Sequence, residues 1–291
     1  MSALPSGLLP PRAPDVHKGD AGRVLIAAGS EGLTGAAALC SLGALRAGAG
    51  LVTLAIPNSL NAIMEVKLTE AITRPMPETK ARSLSVQALP DLVRLAEQMD
   101  AVALGPGLSQ QSETKQLVRQ LIPKLAKPCV IDADALNALI EEPHQVLKRR
   151  LHPTVVTPHP GEMARLLNLS AEEVQRDRER IAREFAAKYG VVTVLKGHRT
   201  VVANVDGEIY INETGNPGLA SGGTGDVLTG VIVALLGQRL ACFDAARLGV
   251  YLHGLAGDLV AAERGQVGLI ASDLLDTIPL AIKRYQQSAP A

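Results

Sequence analysis

The sequence predicts an α/β fold, a doubly wound and mostly parallel central sheet flanked by helices, with a late antiparallel hairpin. Three observations carry that prediction. Short apolar, β-branched runs recur along the chain, each followed by a helical pattern or a glycine turn. Strands buried on both faces read as such continuous runs because helices cover the sheet. After Lys196 the pattern changes to two short runs around Val205-Asp-Gly207, the mark of an antiparallel pair. Polar and glycine clusters follow the strands, where a doubly wound sheet collects its ligands.

Arg23 to Ala28 is the first expected strand, and Gly29-Ser-Glu-Gly32 turns it into a small-residue helix from about Gly35 to Ala47. Leu51 to Ile56 is the second strand. Ala101 to Leu104, Cys129 to Ile131, Val155 to Thr157 and Val191 to Leu195 are four more short buried runs. Thr200 to Asn204 and Glu208 to Asn212 form the hairpin, and helices from Thr224, Phe243 and Ser272 close the chain. No composition break divides this pattern, so one domain is expected over residues 17–285. An N-terminal extension, 1–16, precedes it and a short tail, 286–291, follows.

Composition narrows the function. Apolar residues make up 47% of the chain, yet there are only four Tyr, two Phe and no Trp. The core is therefore aliphatic, and a bound base would not sit in an aromatic cage. Lys plus Arg and Asp plus Glu both number 29, which leaves no basic footprint for nucleic acid. Cys40, Cys129 and Cys242 are odd in number, widely spaced and set in apolar surroundings, so they read as reduced core residues. Met1 to Pro14 lacks the basic and apolar regions of a signal peptide, and no window is long and apolar enough for a membrane helix. A cytoplasmic protein is expected, with no membrane partner.

The richest stretch is Asn216-Pro-Gly-Leu-Ala-Ser-Gly-Gly-Thr-Gly-Asp-Val-Leu-Thr-Gly230. Gly222, Gly223 and Gly225, with Thr224 among them, lead into the apolar run Val227 to Leu236. Such a turn offers unpaired N–H groups and the positive end of a helix dipole to an anion, and glycine admits a phosphate closely. Asp226 then stands beside the expected anion. A carboxylate there is unfavourable unless it handles a proton or a metal, although Asp is also a common helix-start residue.

Other clusters belong to the same rim. Gly105-Pro-Gly107 reads equally as a tight turn or a ligand-lining wall. Of Asp132 and Asp134, one is expected to face the cleft while the other caps the helix that follows. Thr157-Pro-His-Pro-Gly-Glu162 places His159 between two prolines, outside any regular core element, with Glu162 opening the helix Met163 to Leu167. Lys196-Gly-His-Arg-Thr200 offers a cation and a close-approach glycine suited to a phosphate or ribose. Neither the Walker pattern nor a Gly-x-Gly-x-x-Gly after the first strand occurs, and no Gly-x-Ser-x-Gly elbow is present.

Gly-Thr-Gly-Asp at a late helix start resembles the anion hole and base of the ribokinase-like superfamily. Sugar kinases of that group usually read Thr-Pro-Asn-x-x-Glu where this chain reads Thr-Pro-His-Pro-Gly-Glu. With His17-Lys-Gly19, Thr34-Gly-Ala-Ala37, Gly105-Pro-Gly107, Lys196-Gly-His-Arg-Thr200 and Asn216-Pro-Gly-Leu-Ala, the set is similar to the ADP/ATP-dependent NAD(P)H-hydrate dehydratases, from about His17 to Tyr285. The resemblance implies removal of water from the 6S epimer of hydrated NADH or NADPH, with ADP (or ATP) as co-substrate, AMP and phosphate as products of ADP, and Mg²⁺ as counter-ion. It implies Asp226 as the acid acting at the substrate hydroxyl, and Gly35, Ala36, Gly107 and His159 as substrate contacts. Lys196, Gly197, His198, Arg199 and Thr200, with Gly222, Gly223, Thr224 and Gly225, would bind the nucleotide, and Glu162 is the candidate Mg²⁺ ligand. The resemblance further implies a separate epimerase, since no epimerase domain fits before His17, and a homotetramer, the usual assembly of the family. The alternative is a kinase of the same fold acting on a vitamin precursor.

Overall fold

The computed structural model describes residue 4 and residues 6–288. Residues 1–3 and 5 of the expected extension, and 289–291 of the expected tail, lie outside the described residues. The first half of the chain runs β1 (Arg23–Ala27), α1 (Thr34–Arg46), β2 (Leu51–Pro57), α2 (Asn61–Lys67), β3 (Ile72–Met76), α3 (Leu89–Glu97), β4 (Ala101–Leu104), α4 (Ser112–Leu121), β5 (Cys129–Ile131), α5 (Ala133–Asn137) and α6 (Pro143–Leu147). It continues with β6 (Thr154–Val156), α7 (Pro160–Leu167), α8 (Ala171–Arg176), α9 (Arg178–Tyr189), β7 (Val192–Leu195), β8 (Val201–Ala203) and β9 (Ile209–Ile211). Three helices end it: α10 (Thr224–Gly237), α11 (Cys242–Arg264) and α12 (Ala271–Ser288).

The nine strands form one sheet in the order β3-β2-β1-β4-β5-β6-β7-β8-β9. Pairing is parallel from β3 through β7 and antiparallel across β7–β8–β9. This is the predicted architecture, hairpin included. The strand the sequence reading passed over is β3, whose Ile-Thr-Arg-Pro-Met contains Pro75. A proline cannot donate to a ladder and is tolerated on an edge, which is where β3 lies.

Alternate residues of each strand serve two cores, one on either face of the sheet. Val24 and Ile26 of β1 join Val52 and Leu54 beneath α1, α10, α11 and α12. Leu25 and Ala27 face the other way, into the aliphatic cluster under α3, α4 and α9 that also holds Phe185. The N-terminal segment is tied to the first of these layers. Leu8 N–H donates to the Tyr285 hydroxyl at 3.1 Å, Gln286 donates to the Leu9 carbonyl at 3.1 Å, and Arg12 donates to the Gly48 carbonyl. No helix among the described residues is long and apolar enough to cross a membrane.

Helices α1 and α10 touch backbone to backbone. A Cβ added at Gly230 would lie 2.1 Å from the Cys40 carbonyl oxygen, and one at Gly43 would lie 2.8 Å from that of Val227. Small residues on the facing stripes thus fix where the N-terminus of α10 stands. Gly230→Ala should therefore lower stability by roughly 2–3 kcal/mol, the usual cost of overpacking, seen as a Tm lower by about 5 °C or more. Gly35→Ala, which meets open space inside α1, should leave Tm unchanged or slightly raised.

Candidate active site

Every glycine and polar cluster foreseen at the strand exits lies on one rim, and hydrogen bonds join them. Gly29 N–H donates to the Pro106 carbonyl at 2.8 Å, and the Ser30 hydroxyl donates to that of Gly107 at 2.8 Å. Gly105 has φ of +136°, and a Cβ there would fall 1.8 Å from the Asp132 carbonyl oxygen. The Gly-Pro-Gly turn is thus fixed by close approach of the next strand exit. Gly107, at φ +63°, lies against Leu33 and Ala36. Ala36 at the start of α1 therefore shares one wall with Gly107, while Gly35 beside it meets open space.

Lys196, at the exit of β7, is where the other clusters meet. Its ammonium donates to Asp132 Oδ1 at 2.8 Å and lies 3.9 Å from Glu162 Oε2. A Cβ on Gly225 would be 3.5 Å from the same nitrogen. The sequence reading expected a cation on an open rim. The ammonium is instead drawn in among carboxylates, because Asp132 is 1% exposed and needs a partner. Burial alone would lower the lysine pKa, but Asp132 and Glu162 outweigh it and hold the pKa above its ordinary value. The other Asp132 oxygen accepts from the Thr229 hydroxyl at 2.7 Å. Thr229 went unnoticed in the sequence; a single hydroxyl inside the apolar run Val227–Leu236 was the available signal.

Asp132 and Asp134 divide their work differently from the expectation that one would cap α5. Asp132 occupies the cap position without making a cap bond, since its carboxylate is held by Lys196 and Thr229. Asp134 accepts from Ser109 N–H at 2.8 Å and from the Gln110 amide at 2.6 Å, bracing the loop after Gly107.

His159 and Glu162 form a capping box on α7, which begins at Pro160, earlier than foreseen. His159 Nδ1 accepts from the N–H groups of Gly161 at 3.0 Å and Glu162 at 3.3 Å, while Glu162 Oε2 accepts from His159 N–H at 2.8 Å. Nδ1 as acceptor places the ring proton on Nε2, which lies 3.5 Å from Glu162 Oε1, in a side chain that is half exposed. Burial, with the charge of Lys196, holds the His159 pKa below its ordinary value. Burial raises that of Glu162, against the pull of Lys196.

Gly223, at φ +92°, is the N-cap of α10, and a Cβ there would strike Leu39 at 2.5 Å. Asp226 follows in the first turn. Its carboxylate accepts no hydrogen bond among the described residues. Burial and the negative charge of Asp132 push its pKa up to about 7, with Lys196 opposing. Beside this turn lies a cavity of about 420 Å³, lined by Lys196, Gly197, His198, Arg199, Thr200, Thr224 and Gly225, and by an apolar wall of Pro217, Leu219, Leu228 and Val250. Gly222 and Gly223 stand outside that lining. His253, which the sequence reading did not single out, closes the cavity: its Nε2 lies 2.9 Å from the Thr224 carbonyl, and burial lowers its pKa to about 4. A neutral donor there steadies the first turn of α10.

The elevated Asp226 pKa has a stability consequence with a definite sign. Its folded value, about 7, exceeds the value of about 4 in an unfolded chain. The folded protein thus binds the proton more readily, and stability falls as pH rises from about 4 to about 7. Asp226→Asn removes that loss. The variant should melt above the parent at about pH 8, with the difference vanishing towards pH 4. Thermal melts across this range measure it; equal Tm at both ends would mean the carboxylate is well solvated.

A sequence profile of the NAD(P)H-hydrate dehydratase family matches residues 24–280. The bifunctional NAD(P)H-hydrate repair enzyme of Moorella thermoacetica is 50% identical over 279 residues, 96% of this chain and 52% of its own. That of Escherichia coli is 42% identical over 271 residues, 93% of this chain and 49% of its own. The chain thus spans about half the length of these curated relatives. The crystal structure of the ADP/ATP-dependent NAD(P)H-hydrate dehydratase from Bacillus subtilis, co-crystallised with ATP/Mg²⁺, superposes with a TM-score of 0.82 at 35% identity, covering 95% of this chain and 94% of that one. Hydroxyethylthiazole kinase from Pyrococcus horikoshii, at 16% identity and a TM-score of 0.61, shares the fold alone over 90% of this chain and 91% of its own. With a profile match that runs from β1 into α12, this chain belongs to the NAD(P)H-hydrate dehydratase family.

Proposed function

We propose that residues 17–285 form a single domain that dehydrates the 6S form of hydrated NADH or NADPH, using ADP and releasing AMP and phosphate. The observation that carries this is Asp226: an unpaired carboxyl with a pKa pushed up to about 7, in the first turn of a helix whose Thr224 and Gly225 line the cavity. Support also comes from the family and from the Bacillus subtilis relative, which is named as ADP/ATP-dependent. Hydroxide leaves poorly, so the 6-hydroxyl is first phosphorylated. Asp226 takes its proton as the oxygen attacks the terminal phosphorus and the bridging oxygen departs with AMP. The C6–O bond then breaks with its electron pair leaving on phosphate, helped by the lone pair of the ring nitrogen. The adjacent C5 gives up a proton, so that the C5=C6 double bond of NAD(P)H forms. Positioning and anion stabilisation supply most of the acceleration in such a transfer.

In this reading Gly222, Gly223, Thr224 and Gly225 present the start of α10 to the phosphates, and Lys196 to Thr200 hold the nucleotide in the lined cavity. Pro217, Leu219, Leu228 and Val250 receive the base against aliphatic side chains, in keeping with the scarcity of aromatics. Gly35, Ala36 and Gly107 line the substrate wall, with the Nε2–H of His159 as a donor beyond it. Mg²⁺ would neutralise the phosphates. Glu162 Oε2 already accepts the His159 N–H, and Oε1 lies 3.5 Å from His159 Nε2. Among the described residues no three His, Cys, Asp or Glu side chains are grouped to hold an ion unaided. These donors fit an ion carried mainly by phosphates and water, with Glu162 reached through water. A cytoplasmic homotetramer working beside a separate epimerase completes the proposal.

Two measurements test it. Hydrated NADH mixed with the protein, Mg²⁺ and ADP or ATP should regain the absorbance of the reduced nicotinamide; recovery with neither nucleotide would overturn the reading. Asp226→Asn should keep ADP affinity but lower turnover by ~10²–10⁴-fold, the usual loss on removing a general base. In the parent, kcat/KM should fall below about pH 7 as Asp226 becomes protonated. A variant turning over near the parental rate would leave Asp226 as a helix-start residue only.

A further inference from the structure

The loop from Lys196 to Thr200 is held from outside the cavity by a residue that none of the foregoing chemistry uses. Arg178 is the first residue of α9, on the face of the sheet opposite α10. Its Nη2 donates to the carbonyl oxygens of both His198 and Arg199, the latter at 3.1 Å. Its Nη1 is buried without a hydrogen-bond partner and packs on Gly197, where a Cβ would lie 2.5 Å away. Gly197, at φ +145°, therefore leaves room for the guanidinium. The third carbonyl of the loop, that of Gly197, accepts from the Thr200 hydroxyl at 3.0 Å. Lys196 N–H is bound to the Pro158 carbonyl, and Asn212 N–H to that of Thr200, so both ends are anchored.

In a trans peptide the C=O and the following N–H point in opposite directions, and no cis bond occurs among the described residues. Fixing the carbonyls of His198 and Arg199 on Arg178, which stands outside the cavity lining, turns the N–H groups of Arg199 and Thr200 towards the cavity, with that of His198 preceding them in the same loop. Those of His198 and Arg199 have no partner among the described residues, and all three residues line the cavity. Successive N–H groups aimed at one point make a concave anion site. Arg199 adopts φ +54°, a conformation that a non-glycine residue holds only when its surroundings impose it. The fork of Arg178 is the surrounding that does so.

We propose that Arg178 is a positioning residue of this enzyme: its guanidinium orients the peptide dipoles of residues 197–200 so that the loop binds the phosphates of the nucleotide. Arg178 itself touches no phosphate. The inference rests on the nucleotide reading of the cavity given above and assigns that function a residue in α9. A planar fork serves two carbonyls at once, which a single ammonium does with poorer geometry.

Calorimetric titration of ADP, which needs no turnover, separates the two layers of the argument. Arg178→Ala should bind ADP about tenfold more weakly and show a matching rise in nucleotide KM, the scale expected from a lost charged hydrogen bond. The KM for hydrated NADH should stay at the parental value. Arg178→Lys should recover part of the affinity, and millimolar guanidinium should restore binding in the alanine variant but not in the parent. Arg178→Ala with parental ADP affinity would overturn the assignment alone. Equal losses in nucleotide and hydrate KM would do the same, by making Arg178 a general stabiliser. A parent that binds neither ADP nor ATP would overturn the nucleotide reading, and this inference with it.

Discussion

The site depends on one ion pair between a buried carboxylate and a partly buried ammonium. Asp132 leaves β5 and Lys196 leaves β7, two strands apart, and their 2.8 Å contact spans the sheet's exit edge between them. Removing either partner would strand a charge in a poorly solvated place, which is why such pairs are costly to break even when they add little net stability. Thr229 ties the pair to α10 and Glu162 ties it to α7. Three helix or strand ends are thus registered against one cation. Asp226 feels the same centre: Asp132 raises its pKa and Lys196 restrains the rise. The acid strength of one carboxyl is thus set first by its burial and then by charges that belong to other elements.

The glycines act on the same geometry from the packing side. Gly43 and Gly230 let α1 and α10 meet at backbone distance, Gly105 lets β4's exit meet β5's, and Gly223 lets α10 begin against Leu39. Each is a place where a methyl group would push two backbones or a backbone and a core side chain apart. The N-terminal half of α10 is consequently located by close contacts at Gly223, Val227 and Gly230, and preorganised dipoles at such a helix start need no rearrangement when charge develops.

Much of this was legible in the chain. The apolar runs announced the buried strands because a parallel sheet covered on both faces has no polar side to disguise them. The clusters at strand exits announced the rim, and the glycines before Val227 announced the start of α10. What stayed hidden involves partners far apart in sequence. Nothing local to Lys196 says that its ammonium turns inward to a carboxylate 64 residues away, or that Thr229 completes the set from 97 residues beyond Asp132. His159 was conspicuous between prolines, yet its capping of α7 through Nδ1 was not, because histidine is an uncommon cap. Arg178 looked like any charged residue at a helix start, since its targets are backbone carbonyls that leave no trace in side-chain patterns. Strand β3 was concealed by its own proline.

That proline has a bearing on how the molecule survives in a crowded solution. A sheet of nine strands has two open margins, and an unpaired margin is a template on which a second chain can extend the ladder. On one side Pro75 interrupts the row of donors along β3; on the other, β9 offers only Ile209–Ile211 before the chain turns away. Both margins are poor templates, one through a missing N–H and one through shortness. The β-branched runs that make this sheet easy to recognise would be adhesive if laid bare, and their safe keeping falls to these two least regular strands.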